Sequence, residues 1–485
     1  MKRNDLVHIV LLVHACLTTG FQHFTSHLEN RKARSSGLGP HFSAVATQRE
    51  TDDSPAIATE NDKFECDEWV EKWRNFEVPK GQELEMIGNI IQPYLTSGDA
   101  QARAYWLYHA ARVGYFTANA VAGIVAHRIY QTIIQRNAPK PITNNYQSDE
   151  LSTLASATIV ESLKSMDQNY QLVQAGILNY PWDAALRVDS KDSGSIQWNF
   201  QHKQSNPLFA AQETLRLIQD SVGVLGRRDR LQGEPAGVWM QGDKSSYPSY
   251  YLNDFHYQQD GWLSSVSAER YEVSTETLFV GRQDSMQRQT LVPIRKRYKT
   301  APPESMLEVA CGTGRYATFA RDNFPTTDMT LVDLSPFYLE KARDHDAYWR
   351  KNRGADALRL AGSSQTTAPP AAQFVQANAE HLPFPDDSFE VVTTVYLFHE
   401  LPHEARVQVA RELARVCKPG GMVVFTDSFQ TMDTDRELEG FVKLNEPHYG
   451  TYLREDLPAL FEAQGLECGE KYVNSRTKTL TFYKK

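Results

Sequence analysis

The sequence predicts an α/β fold in its C-terminal part, a mostly parallel sheet flanked by helices, preceded by a mainly α-helical region. Three observations carry that prediction. Ser305 to Ala310 is a short apolar stretch that runs into Cys311-Gly-Thr-Gly314 and then a helical pattern. A second apolar run ends on a carboxylate in Leu331-Val-Asp333, followed by Ser335-Pro336, a helix-cap residue before a first-turn proline. Near the C-terminus, Gly465 to Asn474 and Lys478 to Tyr483 alternate as two closing strands should.

The elements follow in order along the chain. Asp62 to Glu77 and Gln82 to Leu95 carry apolar residues at helical spacing, among them Trp69, Trp73, Phe76, Ile87 and Ile91. Ala100 to Ile134 continues with alanines and aromatics. Arg112, with His109 and His127 beside its apolar centre, would heavily destabilise a membrane span, so a buried helix is expected. Leu151 to Ala175 and Pro207 to Leu225 are further helical runs. Tyr247 to Tyr271 is dense in aromatics with hydrogen-bonding tips, and Glu272 to Thr290 can form one helix. Gly354 to Ala372, with Ser363-Ser364 and Pro369-Pro370, reads as a surface insertion before the third strand. Phe389 to Val395 is the fourth strand, and Pro402 to Val416 the helix ahead of Lys418-Pro-Gly-Gly421. The resulting division is 1–55 presequence, 60–235 helical domain, 245–300 aromatic lid and connecting helix, and 301–485 sheet domain.

Glycines that let the backbone approach a ligand, a helix N-terminus behind them and an acid at the next strand end together make a nucleotide-type cofactor site. Gly312-x-Gly314-x-x-Ala317 with Asp333 downstream meets the loose dinucleotide fingerprint. S-adenosylmethionine competes for the same pattern. A pyrophosphate needs neutralising at the helix start, whereas the sulfonium cofactor suits a carboxylate there, and Glu308 precedes the glycines. The sign of that charge favours S-adenosylmethionine.

The C-terminal part resembles the class I S-adenosylmethionine-dependent methyltransferases, particularly the small-molecule type that includes prenylquinone methyltransferases. Four stretches carry the likeness, in the family's order: Leu307-Glu-Val-Ala-Cys-Gly-Thr-Gly314, Leu331-Val-Asp-Leu-Ser-Pro336, Gln376-Ala-Asn-Ala-Glu-His-Leu-Pro-Phe-Pro-Asp-Asp-Ser-Phe-Glu-Val-Val392, and Arg415-Val-Cys-Lys-Pro-Gly-Gly-Met-Val-Val-Phe425. The resemblance implies a Rossmann-like sheet of seven strands with an antiparallel terminal hairpin, and S-adenosylmethionine as cofactor. It places Glu308, Ala310, Gly312 and Gly314 at the methionine end and Asp333 with Leu334 at the ribose. Asn378, Ala379 and Glu380 come beside adenine, and Tyr396 at the end of the fourth strand. Asn378 stands where the family usually has Asp, and its carbonyl can still accept from the adenine amino group. The aromatic segment is similar to a lid over the cofactor, and it could equally glue the helical part to the sheet.

On the acceptor side, methyl transfer to a phenolic oxygen or an activated ring carbon calls for alignment with the sulfonium and a base. His399 is the first candidate, with His403 and Glu400 behind it. His256, Tyr257 and Trp262 on the lid, and His448 and Tyr449 after the fifth strand, are candidate acceptor contacts. The expected acceptor is small and aromatic or lipophilic. A nicotinamide oxidoreductase and a non-catalytic cofactor-binding assembly factor are the competing readings.

The formal net charge of -9 with dispersed acids offers no basic face for nucleic acid. The five cysteines show neither a C-x-x-C pair nor metal-ligand spacing, so no structural metal is expected. Lys2 and Arg3 precede the apolar run Val7 to Leu17, which has a signal-peptide shape. Phe21 to Thr51 is basic and rich in Ser, Thr and Ala, in the manner of a transit peptide. That pair resembles the bipartite presequences of algae with complex plastids, so a plastid address is expected, with secretion and mitochondria as alternatives. No transmembrane span is expected in the mature chain, and peripheral membrane association stays open.

Overall fold

The computed structural model describes residues 60–133, 148–184, 247–252, 261–363, 369–433 and 447–485, with short stretches at 186–188 and 196–198 and a few positions between 209 and 216. The presequence, the helix expected over 207–225 apart from those positions, and His256 and Tyr257 lie outside the described residues. In chain order the helical region holds α1 Glu60–Lys63, β1 Glu65–Cys66, α2 Glu68–Arg74, α3 Glu83–Thr96, α4 Ala100–Ile133, α5 Ser148–Gln174 and the hairpin β2 Leu186–Val188 and β3 Ile196–Trp198. The connection to the sheet is α6 Ser265–Leu278, α7 Gln283–Arg288 and α8 Leu291–Arg297. The sheet domain follows as β4 Ser305–Val309, α9 Arg315–Asn323, β5 Asp328–Asp333, α10 Pro336–Asn352, α11 Gly354–Leu360, β6 Gln373–Gln376, β7 Phe389–Val395, α12 His403–Val416, β8 Cys417–Ser428, α13 Tyr449–Tyr452, α14 Leu457–Glu462, β9 Leu466–Asn474 and β10 Thr477–Lys484.

The main sheet has eight strands in the order β1-β9-β10-β8-β7-β4-β5-β6. β6, β5, β4, β7 and β8 run parallel, and β10 pairs antiparallel with both β8 and β9. β4 to β10 are the seven strands expected of the Rossmann-like fold, and the eighth is β1, which pairs parallel with β9 through Glu65 opposite Glu470. Strand order reverses between β5 and β7 on either side of β4, and ligands in such sheets bind at the carboxyl ends beside that reversal.

Both faces of the sheet are covered, and the alternation of side chains along β4 shows why. Met306 faces a core with Leu331, Met422, Val424, Phe319 and Trp349, whereas Leu307 and Val309 face one with Val392, Phe425, Phe461 and Phe482. The helical region has its own core of Ile87, Ile91, Tyr105, Trp106, Leu163, Met166 and Tyr170. Polar clasps join it to the sheet. Trp73 Nε1 donates to Gln168 Oε1 at 2.7 Å, and Gln168 Nε2 donates to the Val473 carbonyl at 2.8 Å. From β10, Lys478 Nζ reaches Glu60 at 2.6 Å and Asp433 at 2.9 Å, all three buried.

Three sequence expectations are corrected. The single helix expected over 272–290 is broken, because Val280 and Gly281 take left-handed backbone at φ 52° and 78°. The Gly281 N–H closes back on the Glu276 carbonyl at 2.8 Å, a Schellman-type stop, and a Cβ there would meet Phe116 at 3.3 Å. Residues 354–360 form α11 with Ala357 and Leu358 buried, not a surface insertion. The run 62–77 divides into α1, β1 and α2. Among the described residues no helix is long and apolar enough to cross a membrane, and Arg112 of α4 is buried against Glu276 at 2.7 Å.

Candidate functional site

The carboxyl ends of β4, β5 and β7 open onto a cavity of about 810 Å³, its mouth included. Ala310, Gly312, Asp333, Leu334, Asn378, Ala379 and Tyr396, seven residues singled out from the sequence, line it together with Trp262. Their convergence follows from the chain's local geometry. Gly312 and Gly314 have φ of 55° and 72°, which turns the loop after β4 tightly under the cavity. A Cβ on Gly312 would find nothing within 4 Å, so the glycine leaves open space where a ligand can lie. Asp333 braces that loop: its Oδ2 accepts the Gly312 N–H at 2.8 Å and its Oδ1 the Ser335 N–H at 2.8 Å. Burial pushes the Asp333 carboxyl up to about 6, opposed by its three backbone hydrogen bonds.

Two non-glycine residues at this rim hold left-handed backbone, Ala310 at φ 60° and Tyr396 at φ 59°. Each such conformation costs roughly 1–2 kcal/mol. Tyr396 is held there by its N–H to the Thr426 carbonyl at 2.8 Å, by its hydroxyl on Thr477 at 2.6 Å and by stacking on Phe279. The strain sits where two strand ends meet the cavity, as in preorganised sites.

Much of the lining is aromatic. Tyr250, Tyr251, Trp262, Tyr271 and Tyr338 belong to it, and the rings of Trp262, Tyr271 and Tyr338 meet edge to face at 5.4–5.6 Å. Ser335 ties this wall to the sheet, its hydroxyl donating to the Trp262 carbonyl at 2.5 Å while it caps α10. Tyr250, Tyr251 and Tyr271 belong to the aromatic segment read from the sequence without being named as contacts, and Tyr338 was missed.

Other sequence candidates sit differently. Glu380 is off the cavity lining, accepting from the Tyr250 hydroxyl at 2.6 Å and from Asn378 Nδ2 at 3.1 Å, so it holds the wall in place. Gly314 faces helix α10, where a Cβ would come within 2.9 Å of that of Ala342; its small size serves packing. His403 is exposed, pairs with Glu455 at 2.9 Å and does not line the cavity, which removes it as a base. His399 is buried with Nδ1 on Asp427 Oδ1 at 2.6 Å. Burial pulls its pKa down, but the Asp427 and Glu400 carboxylates outweigh that and hold it well above the ordinary value. His399 is not among the lining residues and its ring is paired with Asp427, so the structure places it as an ion-pair partner and not as a group at the cavity surface. His448 meets the Tyr250 ring at 6.3 Å, and Tyr449 is buried with its ring 6.0 Å from that of His399. Sequence reading missed Asp427, whose signal is a carboxylate at the end of the apolar strand β8.

The residues present fit S-adenosylmethionine. Glu308, buried just before the loop, keeps Oε2 without a hydrogen-bond partner, and burial together with the Asp333 charge holds its pKa well above the carboxylate range. A cationic amino acid group would satisfy that oxygen. The lining carries the acids Asp333 and Glu400 and no Lys or Arg, so a pyrophosphate would meet no counter-charge. Arg315, at the start of α9, is committed elsewhere, to Asp183 and Asp284.

Comparison with known proteins agrees. Residues 307–425 match the model of a methyltransferase domain. Over 124 residues the chain is 34% identical to the ubiquinone/menaquinone biosynthesis C-methyltransferase UbiE of Ectopseudomonas mendocina, covering 25% of this chain and 41% of that one. Over 178 residues it is 29% identical to the UbiE of Ralstonia pickettii, covering 36% and 63%. The chain thus spans less than two thirds of the length of these relatives. Among solved structures, human N-acetylserotonin methyltransferase in complex with S-adenosylmethionine aligns over 76% of this chain and 94% of its own at 12% identity and a TM-score of 0.38. The [4+2]-cyclase SpnF aligns over 42% and 82% at 20% identity and a TM-score of 0.29. Residues 307–425 are thus similar to a methyltransferase domain, and the cofactor that fits their site is S-adenosylmethionine.

Proposed function

We propose that this chain transfers the methyl group of S-adenosylmethionine to a small aromatic, lipophilic acceptor, a prenylated hydroquinone being the class that best suits the site. The observation that carries this is the shared cavity: the cofactor loop and Asp333 line it together with Tyr250, Tyr251, Trp262 and Tyr271. Flat rings stack on such a wall, which also excludes water from the sulfonium. Similarity over 124 and 178 residues to ubiquinone/menaquinone C-methyltransferases supports the same acceptor class. When bound, the cofactor supplies an electrophilic methyl group. This chain's residues orient it: Asp333 through the ribose hydroxyls, Glu308 through the amino group and Asn378 through the adenine.

The test is transfer of label from S-adenosylmethionine to 2-prenyl-1,4-naphthohydroquinone kept reduced, beside calorimetric titration with S-adenosylmethionine and NAD. Binding of the adenosyl ligand with label in the quinol supports the reading. Binding without transfer to quinols or phenols removes the acceptor class, and binding of NAD alone removes the cofactor.

We also propose that residues 1–55 address the chain to a plastid, on the signal-like run Val7 to Leu17 and the basic stretch behind it. A fluorescent fusion of those residues in an algal host should light the plastid. Fluorescence in the medium or in mitochondria would refute this.

A further inference from the structure

The end of β7 carries a second arrangement that the cofactor does not need. The turn Phe398–Glu400 is pinned by Asp427 at the end of β8, whose Oδ2 accepts the backbone N–H of Phe398 at 2.9 Å and of His399 at 3.3 Å. Asp427 Oδ1 takes His399 Nδ1 at 2.6 Å and the Ser428 N–H at 2.7 Å. From the opposite side Arg406 Nε donates to the Phe398 carbonyl at 2.9 Å, so the start of the turn is held from both sides. Asp427 is fully buried, and a buried carboxylate needs a compensating cation, which the His399 ring supplies. The other ring nitrogen, Nε2, lies 3.6 Å from Glu400 Oε1. Glu400 belongs to the cavity lining, next to Tyr396, Leu397 and Leu401 and in the same cavity as the aromatic wall. The series therefore runs carboxylate, imidazolium, carboxylate, from the buried sheet end to the cavity.

We propose that Glu400 is a catalytic residue, the group that receives the proton of a hydroxyl-bearing acceptor, with His399 and Asp427 as positioning residues that hold it in place. This rests on the methyltransferase reading above. The step balances as follows. The acceptor O–H bond breaks, its proton goes to a Glu400 oxygen, and the electron pair stays on the acceptor. A bond then forms from the acceptor to the methyl carbon while the S–CH₃ bond breaks, its electron pair remaining on sulfur as the thioether. For methylation at ring carbon, the proton held by Glu400 returns to oxygen as the ring C–H proton is released. One proton leaves per methyl group in either case.

The experiment uses the full chain, S-adenosylmethionine with a labelled methyl group and reduced 2-prenyl-1,4-naphthohydroquinone. Glu400→Gln should bind the cofactor within about twofold of wild type and transfer at least about 100-fold more slowly, the scale of a lost general base. Glu400→Asp, which keeps a carboxylate, should recover at least about tenfold over Glu400→Gln. His399→Gln should lower kcat and leave the KM for S-adenosylmethionine unchanged. Equal rates in wild type and Glu400→Gln would overturn the assignment, and so would equal losses in the Gln and Asp variants, which belong to a structural role. Wild type that binds the cofactor but methylates no hydroquinone overturns it too. Wild type that does not bind S-adenosylmethionine overturns the methyltransferase reading itself.

Discussion

Replacing Arg315 by Met should be among the most destabilising single changes in the chain, because Arg315 holds together parts far apart in sequence. It begins helix α9 directly after the cofactor loop and is buried. Its guanidinium bonds Asp183, and it grips Asp284 through Nη2 at 2.6 Å and Nε at 3.0 Å. Asp284 in turn meets Arg112 of α4 at 3.2 Å, and Arg112 meets Glu276 of α6 at 2.7 Å. Burial would raise the pKa of Asp183 and Asp284, but the Arg315 charge holds both below the ordinary value. Removing one partner of a buried pair costs roughly 3–5 kcal/mol, since a charge is left buried without its counter-ion. Asp284 keeps Arg112, and methionine keeps most of the apolar contact. The stacking of Arg315 over Phe319 at 4.6 Å adds about 0.5–1 kcal/mol. The expected total is about 4 kcal/mol, read as a fall in the urea midpoint at unchanged slope. Asp183→Asn on top of Arg315→Met should restore part of that loss, because one of the two carboxylates that Arg315 balances is removed with it. A loss under about 1 kcal/mol, or strict additivity of the two changes, would refute the claim that this network is buried and shared.

Further outcomes follow from single positions. Asp333→Ala should weaken S-adenosylmethionine binding by about 1–3 kcal/mol in a calorimetric titration, with unchanged affinity removing Asp333 from the ribose role. In wild type that affinity should fall as pH drops through about 6, where burial places the Asp333 titration and the carboxylate form is lost. Gly314→Ala forces a Cβ to 2.9 Å from that of Ala342 at a φ of 72°, and should cost about 1–3 kcal/mol of thermal stability. Glu276 is raised to about 7 by burial first, with the Arg112 charge opposing and Asp284 adding. An acid whose folded pKa lies above its unfolded value binds more protons when folded, so its contribution to stability declines as pH rises from about 4.5 to about 7. Denaturation midpoints of wild type relative to Glu276→Gln should show that decline and a flat difference above it.

The sequence by itself determined the sheet and the cofactor end of the site. Apolar strands of period two, the cap-and-proline pair Ser335-Pro336 and the glycines at 312 and 314 are local signals, readable because each constrains only its neighbours in the chain. The strands β4 to β10 lie close to where those signals put them, and seven of the ten cofactor residues meet at one cavity. Tertiary structure decided the rest. Val280 and Gly281 break a helix that residues 272–290 would otherwise continue, because Gly281 must pass close to Phe116. The third-strand approach becomes helix α11 because Ala357 and Leu358 find a core to enter. His399 alone reads as a base; only the meeting of β7 and β8 brings Asp427 to its Nδ1 and turns it into a cation that faces Glu400. Electrostatic roles depend on which charges share a low-dielectric interior, and those charges come from residues far apart in the chain.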